Sequence, residues 1–83
     1  MKSATCGSLE SNDCLITVSN NEDLDININS IVFDAFGDAI YKVVKETLNE
    51  LGINNLKVTV NDKGALDYAI RARLITAINR LEK

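Results

Sequence analysis

Residues 24–60 read LDININSIVFDAFGDAIYKVVKETLNELGINNLKVTV, and the spacing of the apolar side chains changes twice along this stretch. Leu24, Ile26 and Ile28 alternate with polar residues, which is the period of a half-buried strand. Apolar residues then recur at steps of three and four, as on one face of a helix: Val32, Phe36, Ile40, Val43, Val44, Leu48 and Leu51. Apolar and polar residues alternate again over 56–60. The stretch therefore predicts a strand, an amphipathic helix and another strand.

The segments on either side of this stretch add a strand and a helix. Before it, Cys14, Ile16 and Val18 alternate with other residues, and the polar cluster 20–23 between this strand and the next predicts a hairpin. After it, a second helical stripe consists of Leu66, Ala69, Ile70, Leu74, Ala77, Ile78 and Leu81. The predicted order is strand, strand, helix, strand, helix.

This order predicts an α+β fold, a two-layer sandwich of a small sheet of about three strands with two helices on one face. A helix joins the second strand to the third, which predicts a right-handed crossover, but the third strand could lie beside the first or the second. Residues 3–8 could add a short edge strand. We expect a single domain, 1–83, in which 1–13 are less ordered.

Local signals predict where the two helices begin and end. Asn29 or Ser30 is placed to cap the first helix, and Asp62 is placed to cap the second. Gly52 follows the first helical stripe, where a left-handed residue commonly ends a helix.

Composition excludes several classes of function. A net charge of −3 provides no basic surface that would attract nucleic acid or anionic lipid, so we expect the protein to bind neither of them. No apolar run approaches the ~20 residues that cross a bilayer, and we expect a cytoplasmic protein. The chain has no histidine, which excludes a Ser-His or Cys-His pair and a His-ligated metal. Cys6 and Cys14 are too few for a four-thiolate metal site; we expect both to be reduced, with Cys14 packed inward and Cys6 incidental. We expect neither independent catalysis nor a metal site.

The least explained segment is 6–13, Cys-Gly-Ser-Leu-Glu-Ser-Asn-Asp, which precedes the first clear strand. Its residues are small and polar, so it is expected to be accessible. Nothing in its local chemistry or spacing distinguishes Ser11 from an ordinary surface serine.

Five segments carry a resemblance to a known family. Residues 7–13, GSLESND, resemble the segment of citrate lyase acyl carrier proteins written Gly-Thr-Leu-Glu-Ser-x-Asp. Similar matches are Asp-x-x-Ile-Asn at 25–29, Phe-Gly-Asp-Ala-Ile at 36–40, Asp-Lys-Gly-Ala-Leu-Asp at 62–67 and Arg-Ala-Arg-Leu at 71–74. By position, the resemblance implies that Ser11 is the family's modified serine.

The resemblance also implies a function. A separate prosthetic-group transferase would attach 2′-(5″-phosphoribosyl)-3′-dephospho-coenzyme A to Ser11 through a phosphodiester. The thiol of this arm would carry an acetyl group, which the acyl transferase (alpha) subunit of citrate lyase exchanges for citryl. The citryl lyase (beta) subunit would then release oxaloacetate and regenerate the acetyl carrier. The net reaction would be cleavage of citrate to oxaloacetate and acetate, with this chain as a non-catalytic carrier.

Two departures from the family pattern are visible. Ser8 stands where the family usually has threonine, which leaves a second hydroxyl as a fallback acceptor. The chain ends at Lys83 without the Pro- and Trp-containing tail of many members.

Charged residues near the matching segments have two interpretations. Arg71 and Arg73 could contact the phosphates of the arm or an acidic partner. The stronger expectation is that Arg71 pairs with Asp67, four residues earlier, and that Arg73 is solvated. Glu10 and Asp13 are expected to be partner-recognition or solvating charges rather than a catalytic pair.

Two other functions remain open. A malonate decarboxylase carrier uses the same kind of arm, whereas a non-enzymatic interaction module would bind a protein through the acidic surface or the sheet edge and leave Ser11 bare. Fatty-acid and polyketide carriers are helical bundles with an Asp-Ser-Leu sequence, which this chain lacks.

Overall fold

The computed structural model of the chain describes residues 2–31 and 33–82, with the backbone alone at 33–36. The predicted helix positions Val32 and Phe36 therefore lie outside the described side chains. The elements in chain order are β1 (Ser3–Gly7), β2 (Cys14–Asn20), β3 (Asp25–Ser30), α1 (Phe33–Glu50), β4 (Leu56–Asp62) and α2 (Asp67–Glu82). The α+β prediction is confirmed. The sheet has four strands rather than about three, because residues 3–8 do contribute the edge strand β1. Whether 1–13 are less ordered in solution stays a prediction.

The sheet order is β1-β2-β4-β3, which corrects the predicted hairpin over 14–29. Strand β4 lies between β2 and β3, antiparallel to β2 and parallel to β3. The reason lies in burial: Leu56, Val58 and Val60 are almost completely buried, whereas the apolar residues of β3 are only half-buried. A central strand buries its apolar face more fully than an edge strand, so β4 displaces β3 from the side of β2.

One hydrophobic core lies between the sheet and the helices. Helix α2 packs against β1 and β2, and α1 packs against α2 and β3. The buried apolar residues come from both helices and from three strands: Cys6, Cys14, Ile16, Val18, Ile40, Val44, Leu48, Leu56, Val58, Val60, Ile70, Leu74, Ala77, Ile78 and Leu81. Two residues of the predicted stripes are exposed, Leu51 and Leu66, because α1 ends just before the first and α2 begins just after the second.

Neither helix in the part of the chain that the structure describes is long and apolar enough to cross a membrane.

The helix ends agree with the sequence at Gly52 and differ at Asp62. Gly52 ends α1 as predicted: its φ is 70°, its N–H donates to Asn49 O at 3.1 Å, and the N–H of Ile53 donates to Leu48 O at 2.9 Å, which is a Schellman motif. The predicted cap of α2 is wrong, because Asp62 lies in β4 and α2 begins only at Asp67. The predicted cap of α1 at Asn29 or Ser30 stays a prediction, because it depends on the helix entry at residue 32, which lies outside the described residues.

Asp62 instead joins three parts of the fold. Its residue is only 2% exposed; Oδ2 accepts a hydrogen bond from Ser30 Oγ at 2.8 Å, and Oδ1 accepts one from Ala65 N at 2.9 Å. These bonds satisfy a buried carboxylate that would otherwise oppose folding. They hold the end of β3 and the turn before α2 against the end of β4.

Candidate functional site at the serine turn

Ser11 lies at the tip of the connection between β1 and β2. The N–H of Asp13 donates to Glu10 O at 3.2 Å, which closes a β-turn with Ser11 and Asn12 as its central residues. Asn12 has a φ of 65°, and a positive φ at only the second central position is the signature of a type II turn, which asparagine tolerates better than most residues. The turn presents Ser11 at the surface, where the residue is exposed.

Gly7 sets where the chain leaves β1 to form this turn. Its φ is 108°, and a Cβ at this position would meet the carbonyl oxygen of Cys14 at 1.8 Å, so no other residue fits without moving the backbone. The next N–H, that of Ser8, donates to the same Cys14 oxygen at 3.1 Å. The close approach of the two strands therefore fixes the base of the connection 8–13, which we call the serine turn.

The backbone just beyond β4 fixes the far side of the turn. Asn12 N donates to Lys63 O, and Lys63 N donates to Asp13 O, both at 2.8 Å. Gly64 follows with a φ of 97°, and a Cβ there would lie 3.5 Å from Asn12 Oδ1. The residue type of Lys63 does not predict this backbone contact. The only sequence signal was the glycine after it, which marks a turn but not its neighbour in space.

The carboxylate of Asp13 is the centre of the hydrogen bonds beneath the turn. It accepts bonds from Ser8 Oγ and from Cys14 N, each at 2.7 Å, and from Arg73 Nε at 3.3 Å and Nη2 at 3.2 Å. The Ser8 hydroxyl, followed by the Cys14 N–H and the Arg73 guanidinium, lowers the pKa of Asp13 below its ordinary value. Asp13 thus supports the turn, and the expectation of a solvating or partner-recognition charge is corrected.

Both arginine expectations are corrected as well. Arg73 is bonded to Asp13 rather than solvated, and its pKa is raised by a hydrogen bond with Cys6 and by the charge of Asp13. Arg71 pairs with Glu50 of α1 at 2.6 Å rather than with Asp67. The expected partner, Asp67, lies one turn before Arg71 on the same helix. Packing of α1 against α2 instead brings Glu50 to Arg71.

The two serines of the segment differ in how their hydroxyls are used. Ser8 Oγ donates to Asp13 and also accepts a bond from Glu10 N at 3.3 Å, and Ser8 is half-buried. Ser11 is exposed, and among the residues that the structure describes its hydroxyl has no hydrogen-bond partner. An acceptor for group transfer needs an accessible oxygen, so the geometry favours Ser11 over Ser8.

Cys6 and Cys14 lie beneath the turn with free thiols. Cys14 packs inward as predicted, and Cys6 is also buried. Burial, followed by the charges of Asp13 and Asp62, raises the pKa of Cys14 to about 11. The thiol therefore stays protonated and unreactive at neutral pH.

Comparisons with known proteins agree on a family. Residues 1–81 match the family model of acyl carrier proteins described as malonate decarboxylase delta subunit. A citrate lyase acyl carrier protein of Treponema denticola is 44% identical, covering 95% of this chain and 91% of the relative. Those of Oenococcus oeni and Albidiferax ferrireducens are 49% and 50% identical, covering 95% and 96% of this chain and 82% and 84% of the relatives. The chain belongs to the citrate lyase acyl carrier protein family.

A solved structure supports the fold of this acyl carrier protein. A chain in the crystal structure of a Pseudomonas malonate decarboxylase hetero-tetramer in complex with malonate superposes with a TM-score of 0.84 at 17% identity, covering 96% of this chain and 84% of the other. Membership of the citrate lyase acyl carrier family makes this chain a carrier subunit of a multi-protein complex and indicates a covalently attached prosthetic group.

Proposed function

We propose that this protein is the acyl carrier subunit of a citrate lyase, with a 2′-(5″-phosphoribosyl)-3′-dephospho-coenzyme A arm attached to Ser11 through a phosphodiester. The observation that carries the proposal is the exposed Ser11 hydroxyl, which has no hydrogen-bond partner among the described residues. The neighbouring hydroxyl of Ser8 is engaged by Asp13 at 2.7 Å. One oxygen of the segment is thus free to be modified.

The surrounding residues hold the attachment point but do not activate it. Asp13 is already bonded to Ser8, Cys14 and Arg73, and its lowered pKa makes it a weak base. We infer that the prosthetic-group transferase supplies the base that removes the proton from Ser11 Oγ. The role of this chain is to present that oxygen on a turn fixed to β4 and α2.

When attached, the arm supplies a thiol that carries acetyl or citryl as a thioester. Because the arm is long and its attachment point is fixed, the carried acyl group stays at high effective concentration near each active site of the complex. The proposed partners are the acyl transferase (alpha) subunit, the citryl lyase (beta) subunit and the transferase that attaches the arm. The complex would cleave citrate to oxaloacetate and acetate in the cytoplasm.

Two alternatives make different predictions. The relatives named above favour a citrate lyase over a malonate decarboxylase, although the matching family model is described by the malonate enzyme. The acyl group loaded on the carrier and the subunits that co-purify separate these two. An interaction module would instead be isolated with Ser11 bare.

Intact-mass spectrometry with peptide mapping tests the proposal. The chain is purified from cells that contain an active transferase, alongside Ser11→Ala and Ser8→Ala variants. We expect the mass of the arm on Ser11, none on the Ser11→Ala protein, and retention of the arm by the Ser8→Ala protein. An unmodified wild-type chain, with the transferase shown to be active on a known carrier, would overturn the proposal, as would an arm mapped to Ser8.

A further inference from the structure

A cleft of about 640 Å³ opens beside the serine turn. Leu9 of the turn forms one wall, and the ends of β3 and β4 contribute Asn29 and Asn61. Lys63 and Ile31, each one residue beyond a strand end, also line the cleft, together with Ile28, Ser30 and Asp62. The cleft therefore lies beside the connection that carries Ser11, which contributes Leu9 to its lining.

The side chains of this cleft have unused binding capacity. Leu9 and Ile31 are 56% and 66% exposed, so their apolar surfaces are available for contact. Within the described part of the chain, the amides of Asn29 and Asn61 and the ammonium of Lys63 make no hydrogen bond or ion pair. The cleft thus offers apolar walls, two amides that both donate and accept, and one unpaired cation.

Such a set fits a phosphorylated nucleoside. A planar base can lie against apolar side chains, amides can bond the polar edge of a base or a ribose hydroxyl, and an ammonium can pair with a phosphate oxygen. These are also the groups that would lie nearest Ser11 in the proposed arm, where a phosphodiester is followed by ribose and adenosine.

The position of Lys63 suits the first phosphate of that arm. Its backbone donates to Asp13 O and accepts from Asn12 N, each at 2.8 Å, so it lies beside the turn that carries Ser11. Arg73, on the other side, is already committed to Asp13. Lys63 is therefore a cation beside the turn whose charge can pair with a phosphate, because no described residue pairs with it.

A second groove next to the turn is less suitable. It has a volume of about 580 Å³ and is lined by Ile40 and Leu66 together with the carboxyl side chains of Asp62 and Asp67. Lysine and arginine are absent from its described lining. Asp62 lines both spaces, but the groove adds a second carboxylate, Asp67, whereas the cleft adds the cation Lys63. Charge therefore favours the cleft for an anionic ligand.

We propose that the cleft formed by Leu9, Asn29, Ile31, Asn61 and Lys63 binds the proximal phosphoribosyl-adenosine part of the arm, with Lys63 facing the phosphodiester at Ser11. This inference rests on the proposed function, because it requires the arm on Ser11. Binding in the cleft would fix the direction in which the arm leaves the turn, and only its distal part would remain free to move between active sites.

Amide chemical shifts of the apo and modified proteins test this inference, after mass spectrometry has shown the arm on Ser11. We expect differences at Asn29, Asn61 and Lys63, although Asn29 and Asn61 are remote from Ser11 along the chain. Differences confined to the serine turn would overturn the inference while leaving the proposed function intact. Absence of the arm on Ser11 would instead contradict the proposed function.

A variant pair tests the role of the cation in the same measurement. Lys63→Gln removes the charge from the cleft, and Lys57→Gln is the matched control, an exposed lysine of β4 outside the cleft lining. We expect loss of most of the arm-induced shifts at Asn29 and Asn61 in the Lys63→Gln protein and their retention in the control. Equal shifts in the two modified variants would show that Lys63 does not hold the arm.

Discussion

The guanidinium of Arg73 lies 3.2 Å from the carboxylate of Asp13, although the two residues are 60 apart in the sequence. Asp13 is at the end of the serine turn, and Arg73 is in the second turn of α2. The same carboxylate bonds Ser8, which follows β1, and Cys14, which begins β2. Helix α2 therefore holds the connection that presents Ser11. Since α2 also packs in the core, the position of Ser11 depends on core packing.

Replacing Arg73 with glutamine should loosen the turn. The variant loses both guanidinium bonds to Asp13, so the N–H groups of Asn12 and Asp13 should exchange with solvent faster than in the wild type. NMR hydrogen exchange measures this. The control is Arg71→Gln, which removes the pair with Glu50 between the helices. Equal exchange at Asn12 and Asp13 in both variants would show that Arg73 does not hold the turn.

Replacing Gly7 with alanine should destabilise the protein severely. The new Cβ would lie 1.8 Å from Cys14 O at a φ of 108°, so we expect a loss of more than ~2 kcal/mol in the free energy of unfolding. The matched control is Gly52→Ala, where φ is 70° but nothing lies within 4 Å of the added Cβ. That variant should lose only about 1 kcal/mol. Urea unfolding compares the two, and similar losses would contradict the predicted clash.

The Asp13 carboxylate should make stability depend on acid pH. Its folded-state pKa is lowered, first by the Ser8 hydroxyl, below the ~3.9 of an unfolded aspartate. The ionised carboxylate therefore makes its full contribution to the free energy of unfolding above about pH 4, and this contribution is lost as the pH falls through the folded-state pKa of Asp13. The stability difference between the wild type and Asp13→Asn should shrink between neutral pH and about pH 2, measured by urea unfolding. A difference that does not change with pH would contradict this assignment.

The two cysteines should react slowly in the folded protein. Cys14 is completely buried, and a pKa of about 11 in place of 9.0 lowers its thiolate fraction at neutral pH about 100-fold. Cys6 is 5% exposed. Alkylation followed by mass spectrometry should label neither thiol quickly in the apo protein, and both should react after denaturation. In the modified carrier, the fast-reacting thiol should be that of the arm; fast labelling of Cys14 in the folded apo protein would contradict the prediction.

The raised Cys14 pKa also predicts a loss of stability in alkali. The unfolded thiol begins to ionise near pH 9, whereas the folded thiol keeps its proton until about pH 11, so the folded state binds more protons in this range. The free energy of unfolding should therefore fall as the pH rises from 9 towards 11. In a Cys14→Ala variant the free energy of unfolding should fall less over this pH range. An equally steep fall in the variant and the wild type would contradict the assignment to Cys14.

A helix end could be predicted from a short sequence signal, whereas the parts of the site named next could not. Gly52 was placed correctly because a glycine after a helical stripe acts through its own backbone conformation. Ser11 could be singled out only by resemblance to a family, since a surface serine has no local signal. The support of the turn by Lys63 was missed because a backbone hydrogen bond between distant segments leaves no mark on the residue type.

The sequence by itself determined which segments form strands and helices in this protein. The alternation at Ile26, Ile28 and Val58 and the helical spacing from Ile40 to Leu48 follow from the geometry of each element, whose side chains must reach one face. Tertiary structure alone decided that β4 separates β2 from β3 and that Arg73 meets Asp13. Both depend on which distant surfaces bury the most apolar area and satisfy the remaining charges, and that choice is made only when the whole chain packs together.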